Sequence, residues 1–174
     1  MRDLDVMKAE VAKVTSPYIC QRLRDKSKAD KEPSAMLAWL RPKLVKMAND
    51  INFTVEFDNP RKILSPYQNR KMEGELHGIC DQKTREIIID PHRPHDFVTR
   101  CLVHELSHAM GVHSRHDGND EVAAETIAWQ VCKQLGYDAF DWSMPQVAVS
   151  HWMMGGRFQD HRIEHYTDRI LNSL

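Results

Sequence analysis

His104-Glu105-Leu106-Ser107-His108 places two imidazoles four residues apart, with a carboxylate directly after the first. On an α-helix, residues i and i+4 share a face, so both rings can bind one metal ion. Glu105 falls beside that face, where it can take a proton from metal-activated water instead of binding the metal. This is the H-E-x-x-H pattern of a catalytic zinc helix, and it points to a metal-dependent hydrolase, a peptidase before any other. With ten histidines and ten glutamates in 174 residues, roughly 0.03 such matches are expected by chance. The setting must therefore carry part of the weight.

That setting is helical. Phe97, Cys101, Leu102, Leu106, Ala109 and Met110 recur at helical spacing, Asp96 suits an N-cap, and Gly111 stands where a helix stop is expected. The bland alternative is a partly buried helix whose histidines are satisfied by hydrogen bonds. A catalytic zinc needs a third protein ligand and an open position. Glu121 leads the candidates, because it opens the next helix, where the helix dipole favours a carboxylate. Glu125 follows at i+4 and can orient a ligand histidine from behind. Val122, Ala123, Ala124, Ile127, Ala128 and Val131 make that helix mostly apolar, so two carboxylates on it need partners. His113 and His116 compete for the third place. The longer pattern H-E-x-x-H-x-x-G-x-x-H would put its last histidine at position 114, which is serine. Remote histidines (His151, His161, His165) are a further option.

A strand ending in Ile-Asp-Pro precedes His-Glu-Leu-Ser-His-Ala-Met-Gly, and Glu-Val-Ala-Ala-Glu-Thr-Ile-Ala follows. In this order the stretch from Gly78 to Gly136 resembles the zincin-like metallopeptidase domain of ArdC-type antirestriction proteins from plasmids and phages. More distantly it is similar to the ImmA/IrrE group of gluzincin-like peptidases. The resemblance implies a zincin-like fold, a phage or mobile-element connection, Zn2+ held by His104, His108 and Glu121, Glu105 as the base, and Glu125 supporting the site. SprT-like, DNA-associated proteases are another relative, and their histidine third ligand would promote His116. The resemblance covers about a third of the chain. Residues 1–72 match no family, and the single-stranded-DNA-binding domain usual in ArdC proteins is not recognisable there.

The elements that must position these groups follow from periodicity and breakers. Residues 3–14 and 17–29 read as helices broken at Ser16-Pro17, and Ser34 is placed to cap a helix to Asn49 that Pro42 must kink or split. Residues 51–57 alternate as a half-buried strand, and a loop covers 58–72. Gly74–Cys80 and Thr84–Asp90 form a hairpin through Asp81-Gln82-Lys83. Helices at 120–135, 143–154 and 159–172 complete the chain, with stops at Gly136 and Gly155-Gly156. The fold class is α+β, zincin-like: a small sheet with an edge strand packed on the H-E-x-x-H helix, then a mainly helical C-terminal half. Residues 1–50 form a helical extension and residues 51–174 the metallopeptidase domain, together one compact unit.

Bulk properties narrow the function classes. No run approaches a membrane span and no secretory h-region is present, which predicts a cytoplasmic protein with no membrane partner. Cys20, Cys80, Cys101 and Cys132 are scattered without a C-x-x-C pair, which suits a reducing compartment and small buried hydrophobes. Residues 1–71 carry a net charge of +6 and residues 72–174 a net −7. The basic part could meet nucleic acid, but its run Arg22–Lys28 is interrupted by acid and reads better as a solvated helix face. Nothing in the sequence fixes an oligomeric state.

The expected chemistry is hydrolysis of a protein or peptide substrate, with Glu105 as general base. The Thr84–Asp90 strand is expected to be the edge on which an extended substrate adds. His151 and Arg157, with Tyr137 and His165, are of a type to help an oxyanion. The rival class is a non-catalytic, zinc-stabilised protein that binds nucleic acid or a protein partner. An intact Glu105 argues against it, since a structural site needs no base.

Overall fold

The computed structural model describes residues 3–14, 16, 19, 22–23, 34–64, 76–112 and 118–174. The expected helix over 17–29, the charge run at Arg22–Lys28, Cys20, and the candidates His113 and His116 lie wholly or mostly outside these residues. The described chain is mixed α+β, with six helices of about three to five turns and one three-stranded sheet: α1 (Asp3–Lys13), α2 (Arg41–Asp50), β1 (Thr54–Phe57), β2 (Gly78–Asp81), β3 (Glu86–Ile89), α3 (His95–Ala109), α4 (Gly118–Gln134), α5 (Phe140–Met153) and α6 (Asp160–Leu171). Among the described residues no helix is long and apolar enough to cross a membrane.

The strand order is β1-β3-β2, with β1 parallel and β2 antiparallel to β3. This corrects one expectation: β3, within the Thr84–Asp90 segment, is the central strand and not the edge. Its run Ile87-Ile88-Ile89 is fully buried, and residues buried on both faces of a sheet belong to an inner strand, not a half-exposed one. The edge beside α3 is β2, joined to β3 by a turn at residues 82–85, shifted from the expected Asp81-Gln82-Lys83, in which Arg85 takes a positive φ of 60° instead of starting the strand. β1 is shorter and more exposed than the alternation over 51–57 suggested, because Phe53 enters the core just before pairing begins.

Pro42 acts as its missing N–H requires: a 3-10 turn at Ala38–Leu40 gives way to α2, with Pro42 in the first helical turn. Ser34 does not cap this helix, nor does Asp96 cap α3. Pro94 occupies the α3 cap position, its carbonyl accepting from the Val98 N–H at 3.0 Å. The Asp96 carboxylate turns back to accept from the Ser34 hydroxyl and from the backbone N–H groups of Met36 (3.0 Å) and Leu37 (2.6 Å). It therefore caps the N-terminal segment and ties it to α3. Leu4, Leu40 and Leu44 share one apolar core with Ile87, Leu102, Leu106, Ala124 and Ile163. Each such fully buried aliphatic side chain contributes about 1.5–3 kcal/mol.

α4 is the central rod. Val122 through Cys132 are all buried, since α3, α5 and α6 all pack on it. Gly111 and Gly136 end α3 and α4 with φ of 113° and 98°, a left-handed conformation that glycine adopts without steric cost.

Candidate metal centre

α3 and α4 cross so that three side chains meet. The Nε2 atoms of His104 and His108 are 3.2 Å apart, and the two Glu121 oxygens lie 3.6 and 3.5 Å from them. A tetrahedral ion with bonds of about 2.0–2.1 Å would space its ligands about 3.3–3.4 Å apart. His104, His108 and Glu121 could thus hold a metal ion.

Hydrogen bonds behind the rings say which atoms face the centre. His108 Nδ1 lies 2.7 Å from the Val112 carbonyl oxygen, and His104 Nδ1 lies 3.0 Å from Glu125 Oε2. Both partners only accept, so each Nδ1 carries a proton, and each ring in its neutral form turns an Nε2 lone pair inward. Two such lone pairs and a carboxylate converging on one point form a set that could hold a cation.

In the metal-free protein a proton can take that place. Burial opposes the charged form of His104, yet hydrogen bonds to Glu121 and Glu125 outweigh it and hold the pKa up to about 10. Burial and then the His104 charge lower His108. Burial would raise Glu121, but His104 and His108 bring it down to about 2. Glu125 is likewise held at about 2 against burial, by Arg100 first and His104 next.

Arg100 is the residue that motif reading missed. It lies one helical turn before His104, buried with 3% exposure, and donates from Nη1 to Glu125 Oε1 at 2.6 Å. Phe97 and Trp142 offer their ring faces to its guanidinium at 5.0 and 6.0 Å. The signal was available: Arg100, His104 and His108 fall at i, i+4 and i+8 on one helix face.

Glu105 points beside the ligand face, buried at 9% exposure. Gly78 on β2 makes room for it: a Cβ there would stand 2.8 Å from Glu105 Oε1 and 2.9 Å from its Cγ. Burial pushes the Glu105 carboxyl up to about 7, with His104 opposing and Glu121 and Glu125 adding to the rise. Glu121, with 38% of its side chain exposed against 16% and 13% for the histidines, marks the open side of the centre.

The remaining candidates fall elsewhere. His151 binds the Gly156 carbonyl oxygen through Nδ1 at 2.7 Å, and the Arg157 side chain is exposed. His161 and His165 are exposed on α6. Tyr137 lies past the C-terminal end of α4, beyond the stop at Gly136. None of these joins the three-residue cluster. Of the cysteines, Cys101 and Cys132 are free and buried and Cys80 is half-buried, and burial pushes the Cys101 thiol up to about 12.

No protein-family model, no curated protein and no solved structure matches this chain.

Proposed function

We propose that the chain is a zinc-dependent metallopeptidase of gluzincin-like design, with His104, His108 and Glu121 as ligands and Glu105 as general base. The observation that carries this is the convergence of three metal-binding acceptors beside a buried carboxylate that none of them uses. Two histidines and a glutamate with one side open are the donor set of a catalytic zinc, whereas structural sites close all four positions. Zinc, when bound, supplies Lewis acidity to a carbonyl and to water.

Everything else falls to the protein's own groups. In this reading Glu105 accepts a proton from the attacking water and returns it to the leaving amine. A carboxyl with a pKa near 7 is well matched to both transfers around neutral pH. Cation binding beside it favours the ionised form, the state a base needs. Glu125 holds the His104 tautomer, and the Val112 carbonyl that of His108. Among the described residues β2 has no partner strand on its outer side, and Gly78 on it faces Glu105, so an extended peptide adding there as a fourth strand would run close to the base.

The test is a pair of variants assayed on a broad peptide library. Glu105→Gln is expected to keep one zinc per chain and lose hydrolysis, and Glu121→Ala to lose the zinc itself. Full zinc in Glu121→Ala would sink the ligand assignment. Zinc-loaded wild type that cleaves nothing yet binds DNA with a steep salt dependence would favour the binding-protein reading.

A further inference from the structure

The three residues immediately before Glu121 are each gripped by one segment, residues 156–162, that the metal motif does not contain. Gly156 presses on Gly118 so closely that a Cβ at 156 would stand 2.2 Å from the Gly118 carbonyl oxygen. Asn119 accepts the Arg157 backbone N–H at 2.6 Å. Asp120, its side chain 4% exposed, accepts from Arg162 Nη1 at 2.9 Å.

Arg162 does more than pair with Asp120. Its Nη2 donates to the Gly111 carbonyl at 2.8 Å, and Gln159 Oε1 accepts from Nη1 at 2.9 Å. Gly111 comes three residues after His108, and Asp120 is the residue before Glu121. One guanidinium therefore holds both ends of the connector between the second and third ligands. Tyr166, at i+4 from Arg162 on α6, closes over the same point: a Cβ on Gly111 would lie 3.0 Å from its phenolic oxygen.

We infer that Arg162 is a positioning residue of the metal centre, which by bridging Gly111 and Asp120 sets the separation of His108 from Glu121. This rests on the metal reading above. A planar guanidinium can serve two acceptors at fixed angles, whereas an ammonium is a point charge that serves one well. Because coupling between two events is reciprocal, docking of α6 favours metal binding and bound metal holds α6 down.

The test compares wild type, Arg162→Met and Arg162→Lys by chelator-competition zinc affinity and by the visible spectrum of the cobalt-loaded protein. Arg162→Met is expected to lose roughly 10–100-fold in affinity, the scale seen when support behind ligands is removed, and to change the cobalt band. Arg162→Lys should fall between. A brace with no role at the centre would lower thermal stability and leave the cobalt spectrum alone. In wild type, zinc should slow amide exchange across Asp160–Leu171, and this decides the matter if Arg162→Met does not fold. Zinc affinity within about threefold of wild type with an unchanged cobalt band, or α6 exchange indifferent to zinc, overturns the coupling alone. Wild type that takes up no zinc overturns the metal centre with it.

Discussion

His104 and His108 sit one turn apart on the same helix and face the same point, yet they are supported in different ways. Behind His104 lies a dry chain of charge, the Glu125 carboxylate backed by the Arg100 guanidinium, both nearly inaccessible. Behind His108, among the described residues, lies a backbone carbonyl, that of Val112. The first support depends on two side chains that must be buried together. The second is a by-product of the helix stop at Gly111. One ring is thus held from behind by side chains that mutation can remove, and the other by a backbone group that substitution of its own residue leaves in place.

The largest effect should come from Arg100→Met. Removing one partner of a buried ion pair strands the other charge in a low-dielectric interior, which costs about 3–5 kcal/mol. Urea unfolding of the metal-free protein reads it directly, and a loss under about 1 kcal/mol would show that Glu125 reaches water. Glu125→Gln should follow, with zinc affinity falling about 10–100-fold through a mispositioned His104. Unchanged affinity would mean that Glu125 serves the fold alone.

A pH series separates the two histidines further. His104, raised to about 10 without metal, must release a proton to bind it, whereas His108 is lowered and already neutral. Zinc affinity should then rise about tenfold per pH unit between roughly 7 and 9. A flat profile there would assign the proton elsewhere. The same shift affects stability without metal: His104 contributes fully below its unfolded pKa near 6.5, and that contribution is lost as pH rises toward 10. The smallest effect is expected from Val112→Ala. Two buried methyl groups cost about 2 kcal/mol of stability, but the carbonyl remains, so affinity should stay within about threefold. A larger fall would show that the His108 support is as fragile as the other.

Much of this centre was legible because helices translate spacing into geometry. His104 and His108 needed only an i, i+4 relation, and α3 supplied it. Glu121 and Glu125 could be singled out because they interrupt an apolar helix that had to be buried. The stops at Gly111 and Gly136 were readable for the same local reason. Asp96 and Ser34 were misread, since a side chain that can cap its own helix can equally cap another segment brought near it. The edge strand was misread too. A run of three isoleucines marks burial on both faces, which is the property of the central strand, and local alternation does not say which neighbour lies outermost.

What the sequence determined by itself is therefore the set of groups on each helix face: two imidazoles, a carboxylate beside them, and two more carboxylates on the next helix. Only the tertiary structure decided which of them meet. It brought Glu121 to both Nε2 atoms and turned Glu125 toward Arg100. It also pressed Gly78 against Glu105 and drew Arg162 from α6 onto both Gly111 and Asp120. The reason is physical. A helical repeat is enforced by hydrogen bonds four residues apart, whereas the crossing of two helices depends on how every buried side chain between them packs.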